Sequence, residues 1–287
     1  MNRLVLEAAE LAEPRAVELE RGEAVVFSRP APDKTSGNED AAAVFELQGG
    51  AVVLAVADGL GGGPAGAQAA SIAMRALRRA LGREIAADSL RGVILDAFED
   101  ANREVLALGI GAGTTLVVVE VAGGTARAYH AGDSGALLVG QRGRIGFETM
   151  HHSPVGYGVA AGVLEHDDVH HHEERHLLLN CVGSREMRVE IGAPIRMAAR
   201  DTVLLASDGV LDNLRRAELV EIVRAGELLG AARGLAARVY ETMAGEDPEL
   251  PPHPDDATAL LYRRTRPSGA SERRRSGRRR TDRRKPA

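Results

Sequence analysis

The chain predicts an α+β fold in which two mainly antiparallel sheets lie face to face, flanked by helices. Three observations lead there. Short apolar, β-branched segments come in runs joined by glycine pairs, the way antiparallel neighbours are usually connected. Two long segments, starting near Pro64 and Ser89, repeat apolar residues at helical spacing. Helices interleave with runs of strands instead of following each strand, so parallel crossover units do not fit.

In chain order, residues 24–28 and 41–47 have strand character, and Gly49-Gly50 reads as a hairpin turn into the unbroken apolar strand 51–57. The glycine-dense run 58–63 reads as loop. A helix follows from Pro64, with Ile72, Met74, Leu77 and Leu81 as its stripe. A second covers 89–108, with Leu90, Val93, Ile94, Ala97, Val105 and Leu108. Segments 114–121, 125–131 and 136–140, joined by Gly123-Gly124 and by residues 132–135, predict a run of antiparallel neighbours. The polar, histidine-rich and weakly periodic stretch 150–188 reads as an inserted flap. Residues 202–206 predict a buried strand, 210–243 helix, 247–255 a proline-rich loop, and 257–262 the closing strand.

Composition narrows the class. Aromatic residues make up 3 % with no Trp, so the core must be built from Ala, Val, Leu and Ile. The lone cysteine, Cys181, excludes an intrachain disulfide and suits a reducing cytoplasm. It lies in an apolar neighbourhood as a small core residue does, and no Cys-x5-Arg pattern accompanies it. Residues 1–10 do not read as a signal peptide, and no stretch approaches the roughly 18 apolar residues of a membrane span. Net charge is −5, but residues 263–287 hold twelve Lys/Arg against Glu272 and Asp282. An acidic domain (1–262) therefore trails a basic tail (263–287) too poor in apolar residues to bury a core, expected to be disordered. Such a tail attracts acidic partners or nucleic acid nonspecifically, or folds back onto the body. Ser276 and Thr281, each after three arginines, look like basic-directed kinase sites.

Five acidic spots share one context, an apolar strand meeting a Gly-rich or polar turn. They are Asn38-Glu39-Asp40, Asp58-Gly59, Gly132-Asp133-Ser134, Ser207-Asp208-Gly209 and Asp255-Asp256. Each alone also fits an ordinary turn or helix cap. Carboxylates converging at strand rims, however, repel one another and resist ionisation unless cations neutralise them. All-oxygen donors favour Mg²⁺ or Mn²⁺, and the glycine after Asp58 lets a main-chain carbonyl approach an ion. Two such ions sharing a water can lower its pKa and aim it at phosphorus.

In this order, these residues resemble the type 2C (PPM) family of metal-dependent protein phosphatases. The matching elements are Asn38-Glu39-Asp40, Val56-Ala57-Asp58-Gly59-Leu60-Gly61-Gly62, Gly113-Thr114-Thr115, Gly132-Asp133-Ser134, Leu205-Ala206-Ser207-Asp208-Gly209 and Asp255-Asp256-Ala257-Thr258. The resemblance implies an α/β/β/α sandwich with a cleft at one end, holding two Mn²⁺ or Mg²⁺ ions and, in bacterial members, a third. It implies that Asp58 bridges two ions and that the Gly59 carbonyl binds one. Asp208 and Asp255 hold the second ion, Asp40 holds waters on the metals, and Asp133 with Asp208 holds the third ion. It further implies attack by a bridged hydroxide on phosphoserine or phosphothreonine in a protein, with Asp40, Asp58 and Asp208 as the catalytic set and a cognate serine/threonine kinase as opponent.

Three departures stand out. Thr35, beside Lys34, occupies the place of the family's phosphate-gripping arginine, so Lys34 and Thr35 are substrate-binding candidates, though a lysine lacks the bidentate fork. Leu60 stands where some eukaryotic members have a histidine, and Gly135 replaces the Arg after Asp-Ser. Two alternatives remain: a phosphatase of an anti-sigma-factor antagonist, and a metal-binding pseudophosphatase acting as a regulatory module. Seven of the nine histidines lie between His151 and His176. The pairs His166/His170 and His172/His176 have zinc-like helical spacing, but no cysteine accompanies them and a solvated flap explains them as well. His152, at the flap's entrance, is a candidate for substrate recognition.

Overall fold

The computed structural model describes residues 3–60, 64–83 and 89–264. Five strands come first, β1 (Arg3–Glu7), β2 (Arg15–Leu19), β3 (Gly22–Arg29), β4 (Ala41–Glu46) and β5 (Val52–Ala57). The short β6 (Gly59–Leu60) precedes the helices α1 (Pro64–Leu81) and α2 (Leu90–Ala107). Then come β7 (Gly113–Thr114), β8 (Leu116–Ala122), β9 (Thr125–Ala131), β10 (Gly135–Val139), β11 (Ile145–Glu148) and the short helix α3 (Pro154–Ala160). After a 3-10 turn at Asp168–His171 follow β12 (Glu190–Ile191), β13 (Ile195–Arg196) and β14 (Thr202–Ala206). The helices α4 (Asp208–Leu211), α5 (Arg216–Val223) and α6 (Leu228–Met243) lead to β15 (Ala257–Arg264).

One sheet has the order β1-β4-β5-β8-β9, with β12 and β13 pairing along the outer side of β9. The other has the order β11-β10-β14-β15-β3-β2. Strand pairs in both are antiparallel.

Alternation within the strands sorts the core into three layers. On β5, Val53, Ala55 and Ala57 face α1 and α2, whereas Val52, Leu54 and Val56 face the second sheet. On β14, Val203 and Leu205 point between the sheets, and Leu204 and Ala206 point to α5 and α6. The order is thus helices, sheet, sheet, helices, the α/β/β/α sandwich implied by the motifs. The middle layer is almost wholly aliphatic, and each fully buried Val or Leu stabilises it by about 1.5–3 kcal/mol.

Several expectations are corrected. β9 and β10 are not neighbours: residues 132–134 carry the chain from the first sheet to the second, where β10 pairs with β14. Gly132 makes that corner at φ +121°, where an added Cβ would come 2.6 Å from the Thr115 Cβ. Residues 59–60 are not loop, since β6 pairs with β7. Residues 210–243 are largely helical as expected, divided between the end of α4, α5 and α6. The closing strand continues to Arg264, and the Arg263 guanidinium is buried against the Thr202 hydroxyl. The basic tail beyond it lies outside the described residues. The hairpin at Gly49-Gly50 is as expected, both glycines having φ near +80°. No described helix is long and apolar enough to cross a membrane.

Candidate metal centre

Strand register brings the acidic spots to one end of the sandwich. Ala41 pairs with Ala57, so Asp40 and Asp58 leave β4 and β5 side by side. Leu116 pairs with Ala131, which carries Asp133 to the same rim. In the second sheet Ala206 pairs with Ala259, placing Asp208 beside Asp255 and Asp256.

Contacts then cross between the sheets. Ser207 Oγ donates to Asp40 Oδ2 at 2.9 Å and accepts from the Thr258 N–H at 3.0 Å. The Asp58 backbone is locked by Thr115, whose hydroxyl accepts its N–H at 2.9 Å and whose N–H reaches its carbonyl at 2.9 Å. The Thr115 hydroxyl also bonds Ser134 at 2.6 Å, tying the Asp133 turn to Asp58. Two glycines make the crowding possible. A side chain at Gly59 would strike Gly66 in the first turn of α1, and one at Gly209 would strike the Asp256 carbonyl.

Burial is the main force on these acids. It raises Asp40 and Asp58 well above the ordinary carboxylate range, and the charges of Asp208 and Asp40 push Asp58 further. Burial lifts Asp133 and Asp208 to about 6, with Asp133 adding to the shift at Asp208. Asp255 is the outermost and reaches solvent, yet packing around its carboxyl and then the charge of Asp208 raise it to about 6 as well.

The donor set fits cations. Asp40 Oδ1, Asp133 Oδ1, Asp208 Oδ1 and Glu39 Oε2 are buried without any hydrogen-bond donor. A buried carboxylate oxygen without a donor is costly, and a hard cation is the partner it lacks. Asp58 and Asp208 lie close enough to share a side-chain hydrogen bond, while no three of the aspartates bring their oxygens within 4.8 Å of one another among the described residues.

Asp256 behaves differently from Asp255. Its oxygens accept from the Ala31 N–H at 2.8 Å, the Glu39 N–H at 2.6 Å and Lys34 Nζ at 2.6 Å. It clamps the 31–39 segment and keeps no oxygen to spare. Lys34 also pairs with Glu39 at 2.8 Å. Although burial opposes its charge, these two carboxylates raise its pKa. As a substrate contact Lys34 is thus already engaged, while Thr35 is exposed on the same loop.

His152, the candidate for substrate recognition, is turned inward. It is 4 % exposed, and its ring bonds Gly132, Asn180 and Glu190. The zinc-like flap pairs are not assembled either. His170 lies in a 3-10 turn, its Nδ1 on the Asp212 carbonyl, and His166 is exposed. The space a side chain at Gly135 would need is taken by Leu211 and His151.

Two acids escaped the sequence reading as site members. Glu39 was read only as part of its motif. Asp212, four residues after Asp208, is raised well above its ordinary value by burial, then by Asp208 and Asp133. The i, i+4 relation of Asp208 and Asp212 was its only signal. Asp212 also lines a cavity of about 290 Å³ between the flap and the body, with His151, Val155, Val159, Leu211 and Arg216.

Residues 33–243 match the family described as protein phosphatase 2C. The chain is 29 % identical over 220 residues to the serine/threonine phosphatase stp of Listeria innocua, covering 73 % of this chain and 86 % of that protein. It is 30 % identical over 208 residues to PstP of Mycobacterium tuberculosis, covering 70 % of this chain and 38 % of that one. Among solved structures, M. tuberculosis PstP/Ppp superposes with a TM-score of 0.71 at 24 % identity, over 86 % of this chain and all of that one. A PstP catalytic domain in complex with two manganese ions superposes with a TM-score of 0.68 at 24 % identity, over 86 % of this chain and 99 % of that one. The chain belongs to the protein phosphatase 2C family.

Proposed function

We propose that this protein hydrolyses phosphoserine and phosphothreonine in protein substrates, using divalent cations held by Asp40, Asp58, the Gly59 carbonyl, Asp133, Asp208 and Asp255. The observation that carries this reading is the set of buried carboxylate oxygens without donors at the shared rim of the two sheets. The family membership and the two manganese ions of the related PstP structure support it.

Divalent cations held by these residues would supply the Lewis acidity that lowers the pKa of an attacking water and offsets charge on the phosphoryl oxygens. The chain's own groups supply the frame. Ser207 fixes the inner oxygen of Asp40 and leaves the other for a cation. Thr115 sets the backbone of Asp58. Asp256 holds Asp255 in place through its own N–H, which donates to Asp255 Oδ1 at 2.7 Å. Because several of the carboxyls hold protons up to about pH 6, loading the centre releases protons and is weaker in acid. No arginine fork stands at the 34–35 position, so the cations carry the phosphate recognition that a fork shares elsewhere. A cognate serine/threonine kinase supplies the substrate, and a cytoplasmic setting suits the unpaired Cys181.

The test is hydrolysis of p-nitrophenyl phosphate and of a phosphothreonine peptide with Mn²⁺, Mg²⁺ or EDTA. Turnover that needs metal is the expected result. A protein that binds Mn²⁺ yet hydrolyses neither compound overturns the reading and points to a regulatory module.

A further inference from the structure

Behind the acidic rim lies a second polar cluster, in which ligating atoms of His130, His152 and Glu190 fall within 4.8 Å of one another. Their spacing alone would suit a cation, but the hydrogen bonds around them do not. His152 Nδ1 faces the Gly132 main-chain N–H at 3.1 Å, a group that only donates. It also faces Asn180 Nδ2 at 2.9 Å. The orientation of that amide is set by Arg188, whose carbonyl accepts from Nδ2 at 2.7 Å and whose N–H donates to Oδ1 at 3.0 Å. Nδ1 therefore carries the lone pair, and the ring proton sits on Nε2, directed at Glu190 Oε2 at 3.3 Å. His130 Nε2 likewise donates to the Met150 carbonyl at 2.7 Å, and the two rings stack with centroids 4.4 Å apart. A cation at His152 Nε2 would have to displace a proton whose counterpart lone pair is already committed. The cluster is scaffold.

What it holds is specific. The His152 N–H donates to the Gly132 carbonyl at 3.1 Å while the Gly132 N–H donates to the His152 ring, a reciprocal pair on the residue preceding Asp133. The Leu179 N–H donates to the His152 carbonyl at 2.8 Å, and Asn180 reaches the ring. One residue thus joins the start of the flap, its end and the corner between the sheets.

We propose that His152 is the positioning residue of Asp133, its Nδ1 lone pair fixing the Gly132–Asp133 corner and locking both ends of the flap to it. This rests on the reading of Asp133 as a cation ligand. Groups that orient metal ligands typically matter by about ten- to a hundredfold in affinity.

The experiment is a Mn²⁺ titration of the full chain by calorimetry and electron paramagnetic resonance, comparing wild type with His152→Asn, His152→Gln and Asp133→Asn. An Asn side chain can place its oxygen near the site of Nδ1, whereas Gln reaches the site of Nε2 instead. Asp133→Asn identifies the Mn²⁺ class that depends on Asp133. His152→Gln is expected to weaken that class about tenfold or more and leave the others unchanged, while His152→Asn stays within about threefold of wild type. In the Asp133→Asn background, His152→Gln should add nothing. Equal effects of Asn and Gln, loss spread over all ion classes, or the same loss with and without Asp133 overturns the proposal. If the Gln variant fails to fold, a His152→Asn protein that binds Mn²⁺ as weakly as Asp133→Asn also overturns it. Ion binding that ignores Asp133→Asn overturns it as well, whereas a failure of hydrolysis alone strikes only the phosphatase reading.

Discussion

Two buried polar clusters lie close together in this protein, and they are built on opposite rules. The aspartate rim is crowded and unsatisfied: its acids raise one another's pKa, and four buried oxygens, Glu39 Oε2 among them, lack donors. The His130–His152–Glu190 cluster is compact, with His130 Nε2 and both ring nitrogens of His152 facing suitable partners. Burial lowers the pKa of both imidazoles, with the charge of His152 adding to the shift at His130 and Glu190 opposing it at both. Proximity of ligand types is therefore a poorer guide to a cation site than unspent acceptors. A residue that has used its lone pairs on the fold is holding something, and one that has not is waiting for a ligand.

The strongest way to break this contrast is to replace a rim acid. Asp58→Asn is expected to lower metal-dependent hydrolysis by on the order of a thousandfold, about 4 kcal/mol of barrier. In EDTA the same change should raise the melting temperature, because it removes a carboxyl whose ionisation burial and the neighbouring acids oppose. A variant that is less stable without metal would show that the carboxylate is already compensated. Next in size is Lys34→Met, which strips Asp256 and Glu39 of their shared cation. Discounted for the partial exposure of Lys34, the loss should be about 2 kcal/mol in denaturant unfolding, and adding Asp256→Asn should restore part of it.

A gentler probe is pH. Asp133, Asp208 and Asp255 titrate near 6 when folded, against an ordinary value of 3.8. Between those values the folded protein binds more protons than the unfolded chain. Stability from these groups is thus full below 3.8 and lost as pH rises through about 6. The melting temperature in EDTA should fall across that window by a few degrees, and saturating Mn²⁺ should flatten or invert the slope. A metal-free protein that gains stability across the window would contradict the crowding. Smallest is Glu190→Gln. Its side chain is 44 % exposed, so stability should change by less than about 0.5 kcal/mol with Mn²⁺ binding intact.

Much of this was legible before the fold was seen, and the reason is physical. A carboxylate after an unbroken apolar strand can only sit at a sheet's rim, which made Asp58 and Asp208 visible. The corner at Gly132 was not, because Ala136, Leu137, Leu138 and Val139 are buried on both faces and their pattern does not say which sheet receives them. Two-residue strands such as β12 and β13 are too short to show a period. Strands β1 and β2 lie at sheet edges, where few apolar positions are needed to mark them. Lys34 meets Asp256 across 222 residues of sequence, so the clamp leaves no local trace. For His152, sequence gave the location beside the flap but misjudged its direction: it turns inward to the corner.

The placement of β15 between β14 and β3 reaches beyond the mature fold. The second sheet has a gap at its centre until residues 257–264 are in hand, while β3 emerges early in synthesis. During translation, β3 with β2 and β14 with β10 present two bare strand edges toward each other. Such edges invite pairing with foreign strands. A ribosome stalled before residue 257 would release a chain with both edges open and with half of its acid rim lacking a wall. Quality control should therefore clear such fragments rapidly, and the protein's yield in a cell should depend on how quickly that one strand arrives.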